Sequence, residues 1–450
     1  MAFIWGDYRF LDLHVYMGAA HEFLLGRDPY HYAFTFVHLY ATYPPVALIL
    51  LSPLSLVPIG VLVYLWSVFS LLCLAWLCFM VLAEVRPPFQ DAERGPRKYA
   101  FAVLMALGCA ILLEPVRSNF GFGQVDLLLV VLLTTDILRR GRRSRGVLVG
   151  LASAVKLTPL IFVVLLVLER DWRAVRRSLI TFVTATGAAW LLAPSASAEY
   201  FFHFSVVAQR IGAPSYVSNQ SLNGIIARLG LPGPVSTALW LVAALALFGL
   251  AAWIANKLLR PGHTTLSALI IMAVAGLLIS PVSWDHAWSW AALFPFALLD
   301  ETVPRPVKVT LLLVILIAVT APYWWSGTST SYGIHVGFLN PVAQDSLAAA
   351  GVALIGVWAW SLRKEPALGS RTGRVAQMRS PFLLADGSNN GGPGNGSSHV
   401  KAPGRARARP AVASSERVFA GERPEKGARD GEERRVLRGP SLWTDRRGAR

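Results

Sequence analysis

The sequence predicts an all-α polytopic membrane protein with about nine to eleven transmembrane or re-entrant helices. Three observations carry that expectation. Of 450 residues, 54% are hydrophobic and only 15% are charged, against roughly 25% charged in soluble domains. Apolar runs recur along most of the chain, giving a mean hydropathy of +0.49. Basic clusters fall between those runs rather than within them. A soluble fold, a disulfide scaffold and a disordered protein are excluded. The three cysteines, Cys73, Cys78 and Cys109, all lie in apolar runs without metal-ligand or pairing spacing.

In chain order, the apolar runs mark spans at 59–83, 99–114, 126–138, 178–193, 236–256, 264–280, 287–300, 308–323 and 344–362. Several fall short of the ~20 residues of a straight span, so their ends must extend into the adjoining loops. Residues 147–168 run between two basic loops and are interrupted by Lys156 and Pro159. That pattern predicts a broken or re-entrant pair of half-helices, tolerable where protein or water satisfies the freed backbone. Residues 44–58 carry Pro44, Pro45, Pro53 and Pro58 and fit an interfacial or re-entrant helix.

The net charge of +16 would suggest nucleic acid in a soluble protein. Here its placement explains it. Residues 363–450 hold 19 Lys or Arg against 9 Asp or Glu, in a Gly-, Pro- and Ser-rich tail expected to be disordered. Other cations cluster at Arg139 to Arg145 and Arg170 to Arg177, where short basic loops are held on the cytoplasmic side. No nucleic-acid partner is expected. The chain divides into an outer segment 1–43, a transmembrane core 44–362 and a cytoplasmic tail 363–450. Loops 114–125, 194–235, 281–286 and 324–343 join 1–43 on the outer face. Met1 opens almost directly onto an outer segment, so an apolar helix missing before residue 1 is a further expectation.

The unusual polar residues collect on that outer face. Asp12 and Tyr16 are four apart, which a helix would bring to one side. A carboxylate beside an apolar surface has its pKa raised, which suits a general base; a solvated loop carboxylate or a helix cap accounts for Asp12 as well. The block Leu113 to Asp126 holds Arg117 and Gln124 as donors beside Gly121 and Gly123, and a guanidinium suits phosphate. Lys156 within an apolar run costs at least ~2.5–3.5 kcal/mol on insertion scales, so it marks a function with a partner unless it snorkels. The Tyr216–Gly224 block supplies Asn219 and Gln220, serving sugar recognition and ordinary loop structure equally well. Trp284, Asp285 and His286 follow a proline break: an indole to stack on a sugar, and an imidazolium to meet a phosphate. An aromatic belt explains Trp288 and Trp290, but not Asp285 beside His286.

No P-loop, Rossmann glycine pattern, His-Glu-x-x-His or Gly-x-Ser-x-Gly is present in the sequence. A nucleotide-sugar enzyme would need a cytoplasmic domain, and the inner loops before the tail are too short to form one. A lipid-linked substrate needs none, because the membrane delivers it.

Taken together, Asp12-Leu-His-Val-Tyr16, Gly26 to Tyr30, Tyr43-Pro44-Pro45, Leu113 to Gln124, Gly150 to Pro159, Asn219 to Gly224 and Ser280 to His286 resemble glycosyltransferase family 87, polytopic enzymes of the GT-C class. The resemblance spans roughly residues 6–362. It implies inverting α-mannosyl transfer, commonly α-1,2, from polyprenyl-phosphate mannose to phosphatidylinositol mannosides, lipomannan or lipoarabinomannan outside the plasma membrane. It also implies Asp12 as general base, His286 as a second catalytic group, and Arg117 and Lys156 at the leaving phosphate. Tyr16, Gln124, Asn219, Gln220, Trp284 and Asp285 would bind substrate, and no metal or other cofactor is required. Transfer of another polyprenyl-phosphate sugar, arabinose or glucose, is the nearest alternative; transport of a lipid-linked sugar is the more distant one.

Overall fold

A computed structural model describes residues 10–34, 39–85, 96–203, 212–326 and 340–364, all within one compact unit. The start of the chain and, beyond Lys364, the expected tail lie outside the described residues.

The stretch 1–43, expected as an outer loop, is not simply a loop in its described residues. It contains α1 (Leu11–Leu24) and a two-residue antiparallel pair, β1 (Ala33–Phe34) with β2 (Leu39–Tyr40). Helix α2 (Pro45–Leu51) follows and tightens into a 3-10 segment, Ser52–Leu56, the short helix expected from the prolines. Next come α3 (Ile59–Val85) and α4 (Pro96–Leu112). The expected span 99–114 does not run straight: α4 meets α5 (Glu114–Phe122) at a 78° bend. Pro115 at the second position of α5 has no N–H for the ladder, so the helix cannot pass through.

Helix α6 (Asp126–Leu138) matches the expected apolar run. The break expected in 147–168 falls between α7 (Val147–Val155) and a 3-10 segment, Thr158–Phe162, that runs into α8 (Val163–Leu168). Lys156 takes an extended conformation, φ −148 and ψ 132. Pro159 lacks the N–H that would bond Val155, so α7 stops there. Helices α9 (Trp172–Leu192), α10 (Pro194–Phe202) and α11 (Leu222–Arg228) lead to α12 (Gly233–Leu258) and α13 (Thr265–Ile279). Gly150 lets α7 approach α9 closely, since a Cβ there would come within 2.3 Å of the Ser178 carbonyl oxygen. A 3-10 segment, Asp285–Leu293, then enters α14 (Phe294–Leu299), followed by α15 (Arg305–Thr320), a 3-10 segment Pro322–Ser326, α16 (Asn340–Gln344) and α17 (Ser346–Lys364).

Among the described residues, three helices, α3, α12 and α17, are long and apolar enough to cross a membrane, and the bent pair α4–α5 makes a fourth if it counts as one span. The run 178–193 lies in the 21-residue α9, whose first turns carry Arg173, Arg176 and Arg177, and the other apolar runs form shorter or broken helices. Leu65, Val68 and Leu72 on α3, Val242 and Leu245 on α12, and Leu312 and Leu316 on α15 are exposed. Faces of that kind suit lipid, not water. The protein is an all-α membrane protein.

The centre is α13, buried along nearly its whole length, against α12, α17 and the 285–293 segment. Trp288 is fully buried and Trp290 nearly so; both belong to this core and not to an aromatic belt. The expected span 287–300 is likewise an interior segment, with the sequence from Asp285 to Leu293 buried except at Ala287.

Candidate active site

The site begins with the first turn of α1. Phe10 precedes it in a left-handed conformation, φ 54, and its N–H donates to the Gly121 carbonyl at 2.8 Å, tying α1 to the end of α5. Gly123 caps α5 with φ 69, and a Cβ there would meet the Leu13 Cβ at 2.7 Å. Glycine is required on both counts. This junction sets Asp12 against Gln124.

Gln124 is buried, and its Nε2 donates to the Asp12 Oδ2 at 2.6 Å. Its Oε1 accepts from the Tyr16 hydroxyl at 2.6 Å and from the Tyr43 hydroxyl at 3.1 Å. The rings of Tyr16 and Tyr43 meet edge to face with centroids 4.9 Å apart. An ionised carboxylate only accepts and a protonated phenol can donate, so this orientation of the amide satisfies all four groups. Burial pushes both phenols up, Tyr43 to about 12, so they remain protonated donors. Burial also holds the Asp12 carboxyl above its ordinary range; His286, the Gln124 hydrogen bond and Lys156 pull it down, and Asp126 pushes it up.

Beside this group lies a second one. Asp126, the first residue of α6, accepts from the Lys156 Nζ at 2.6 Å through one oxygen. Its other oxygen lies 4.0 Å from the His286 Nε2. Lys156 reaches Asp126 from the break after α7 and stands 5.5 Å from the Tyr43 ring centre. His286 packs against Phe122, ring centroids 5.3 Å apart. The Nδ1 of His286 and the Oδ2 of Asp126 are buried without a hydrogen-bond partner. Asp12, Tyr16, Gln124, Lys156 and His286 thus converge from four separated stretches of sequence.

Asp126 and Tyr43 join them, although neither was singled out as a site residue from the sequence. The signal for Asp126 was available: a carboxylate opening a 13-residue apolar helix needs a cation, and Lys156 needs an anion.

The other expected residues lie in an adjoining scaffold. Asn219 pairs with Trp284 in an isolated antiparallel bridge, and the Gln220 N–H donates to the Ser283 carbonyl at 2.8 Å. Both amide side chains are fully buried and are spent on the main chain. Asn219 donates to the Pro214 carbonyl at 2.8 Å and accepts from the Ser283 N–H at 2.9 Å. Gln220 donates to Val217 and Gln344 carbonyls, each at 2.7 Å, and accepts from the Ala348 N–H at 3.1 Å. Expected on substrate, these two amides instead fasten the 216–221 loop to the loop 281–286 and to α17.

Asp285 is fully buried, accepts from the Ser218 hydroxyl and lies against Glu114. Glu114 accepts from the Tyr323 hydroxyl and, at 3.2 Å, from the Trp324 indole. Half-buried Trp284 stands edge to face with Tyr216, centroids 6.0 Å apart, and Tyr216 with Trp324, at 6.3 Å. Arg117 is half-buried on α5, between Glu114 and Gln124 in sequence. Elsewhere, Asp28, His31 and Glu199 place donor atoms within 4.8 Å of one another, and His31 bridges the two carboxylates, tying the turn after α1 to α10.

The profile of glycosyltransferase family 87 matches residues 41–281. The chain belongs to this family. As a family 87 glycosyltransferase it is similar to a polyprenol-phosphate-mannose-dependent alpha-(1-2)-phosphatidylinositol mannoside mannosyltransferase of Mycobacterium tuberculosis, 34% identical over 290 residues, covering 62% of this chain and 68% of the relative. The protein of the same name from Mycolicibacterium smegmatis is 35% identical over 297 residues, covering 62% and 67%. A phosphatidylinositol pentamannoside mannosyltransferase of M. tuberculosis is 34% identical over 300 residues, covering 65% and 66%. No solved structure matches the chain. The family match includes Tyr43, Gln124, Asp126 and Lys156; Asp12 and His286 lie outside its bounds.

Proposed function

We propose that this family 87 glycosyltransferase moves mannose from polyprenyl-phosphate mannose to a phosphatidylinositol mannoside or related lipoglycan, forming an α-1,2 linkage with inversion. The relatives' activities support the donor, the acceptor class and the linkage. The observation that carries the chemistry is the pairing of Asp12, held by Gln124, with the adjoining Asp126, Lys156 and His286.

Asp12 takes the proton from the acceptor hydroxyl as that oxygen attacks the anomeric carbon. The bond from that carbon to the phosphate oxygen breaks on the opposite face, turning a β-linked donor into an α-linked product. The electron pair leaves with polyprenyl phosphate. Lys156 and the open nitrogen of His286 meet the added charge, and Arg117 on α5 meets the rest of the phosphate. Asp126 holds Lys156 in place and stops that charge from being a lone cation in an apolar setting. Trp284 stacks on a sugar, backed by Tyr216. Asn219, Gln220 and Asp285 act at one remove, fixing the segment that carries Trp284 and His286. Burial raises the Asp12 carboxyl toward working pH, which improves it as a base.

The site faces the outside of the plasma membrane in this reading, with 1–43 as an outer segment, 44–362 as the catalytic core and 363–450 as a cytoplasmic tail. Basic clusters at Arg139–Arg145 and Arg170–Arg177 support that orientation.

The test is purified protein offered polyprenyl-phosphate mannose, arabinose or glucose with a phosphatidylinositol mannoside acceptor, followed by linkage analysis of the product. Transfer of mannose in α-1,2 linkage is expected. Transfer from a different donor, or no covalent product at all, would overturn the reading.

A further inference from the structure

At the other end of α6 from Asp126, the chain builds a second charged site that the transfer reaction does not use. A cleft of about 410 Å³ is lined by Arg140, Arg145, Arg170 and Arg260, with Glu169 and Asp171 among them. A helix of 13 residues separates its two ends by about 20 Å, so the cleft is remote from Asp12 and His286.

The four guanidiniums are not equivalent. Arg145 is 4% exposed. It reaches Asp171 at 3.1 Å, pairs with Glu169, and donates to the Asp136 and Ile137 carbonyls at 3.3 and 3.1 Å. Arg140 shares Glu169, its Nε 2.9 Å from that carboxylate. Both carboxylates are therefore occupied. Arg170 and Arg260 are exposed, and neither side chain has a hydrogen bond or ion pair among the described residues. The cleft carries four positive charges against two negative, and the unanswered pair faces the same space.

Arg170 is also costly where it stands. It follows α8 at φ 58, its N–H bonding the Val167 carbonyl and the Asp171 N–H the Leu166 carbonyl. This is the glycine position of a helix C-terminal turn. A side chain there costs roughly 1–2 kcal/mol. A non-glycine residue in that conformation is an outlier that points to a use for its side chain. Leu168 and Leu259 line the same cleft, and Trp172, 62% exposed, opens α9 beside it. Guanidiniums next to apolar side chains at the end of membrane helices suit a headgroup whose acyl chains continue along the protein.

We propose that this cleft binds the phosphate of an anionic membrane lipid, with Arg170 and Arg260 as its ligands and Arg140 and Arg145 as the wall that fixes them. The proposal does not depend on which sugar the enzyme transfers. A phosphate accepts from two guanidiniums at once, and such charge-assisted bonds are the strong ones.

The test uses the full chain, stripped of lipid in an uncharged detergent. Its melting temperature is followed as phosphatidylglycerol, phosphatidylcholine or soluble glycerol 3-phosphate is added. Phosphatidylglycerol should raise the melting temperature and phosphatidylcholine should not. R170Q/R260Q should weaken the apparent affinity about tenfold or more, while R173Q/R176Q, removing equal charge from the exposed start of α9, should leave it within about twofold. If R170Q/R260Q melts lower without lipid, R260Q alone, away from the strained turn, should still weaken binding. A response to glycerol 3-phosphate with the same dependence on Arg170 and Arg260 upholds the phosphate site and assigns it a soluble ligand. Equal stabilisation by both lipids, or equal losses in the two double variants, would overturn the proposal.

Discussion

The first residue of α6 is Asp126, with Lys156 on one oxygen and His286 at 4.0 Å from the other. Just past its last residue, Arg140 and Arg145 share Glu169, Arg145 also takes Asp171, and Arg170 and Arg260 are left over. At the first end Asp126 and His286 are buried and Lys156 half-buried, the charges are nearly balanced, and the unmet polar atoms include one histidine nitrogen and one carboxylate oxygen. At the second the charges are partly wet and in surplus. A buried ion must be matched because desolvation is expensive; an exposed one is matched by water and salt. The Asp126 end can thus hold a fixed constellation for chemistry, whereas the arginine end can only attract and hold an anion.

The largest effect that would break this contrast is at Lys156. Lys156→Met leaves Asp126 buried beside His286 alone, and a loss of about 3–5 kcal/mol is expected, read as a lowered melting temperature in detergent. Asp126→Asn in the same chain should restore much of that stability without restoring transfer. If the single variant melts like the parent, the pair is not a buried one.

Gly123→Ala comes next. Its φ of 69 and its 2.7 Å approach to Leu13 predict a loss of about 1–3 kcal/mol. Because the strain would push α1 off α5, transfer should fall more than stability does. Comparing kcat with the melting temperature of the same preparation checks this.

Gln124→Leu sharpens the comparison through pH. Gln124 favours the ionised form of Asp12, so its removal raises the Asp12 pKa further. As the proposed base, Asp12 must be deprotonated to act, so activity should fall as pH drops through that pKa. The acid limb of kcat/KM should move to higher pH, with a rate loss of about tenfold near neutrality. A limb that stays in place would detach Gln124 from the titrating group.

The smallest effect belongs to the arginine end. In lipid-free detergent, Arg170→Gly should stabilise the protein by roughly 1 kcal/mol, with transfer unchanged. A loss of stability there would mean that Arg170 has a structural partner.

Much of the fold was legible because membrane burial writes itself into composition: α3, α6, α12, α13, α15 and α17 all fall on apolar runs, and the break at Lys156 follows from Pro159. What was hidden depended on packing. Trp288 and Trp290 looked like interfacial aromatics, but Trp288 packs against Gly351 of α17 and Trp290 stacks on Phe162, both within the core. The 78° bend at Leu113 needed Pro115 to be weighed against a strongly apolar run. Asp12, Lys156 and His286 stood out because charge is rare in this chain. Asp126 was masked by the run it begins. Asn219 and Gln220 looked like sugar ligands because sequence does not reveal that the partners of an amide are already main-chain groups.

The central claim is that Asp12 is the base of mannosyl transfer. It is tested most directly by Asp12→Asn, which keeps the shape and an acceptor for Gln124 but removes the charge. Turnover of polyprenyl-phosphate mannose by that variant should fall about 10²–10⁴-fold, with the melting temperature of the parent retained. Turnover within a few-fold of the parent would contradict the account.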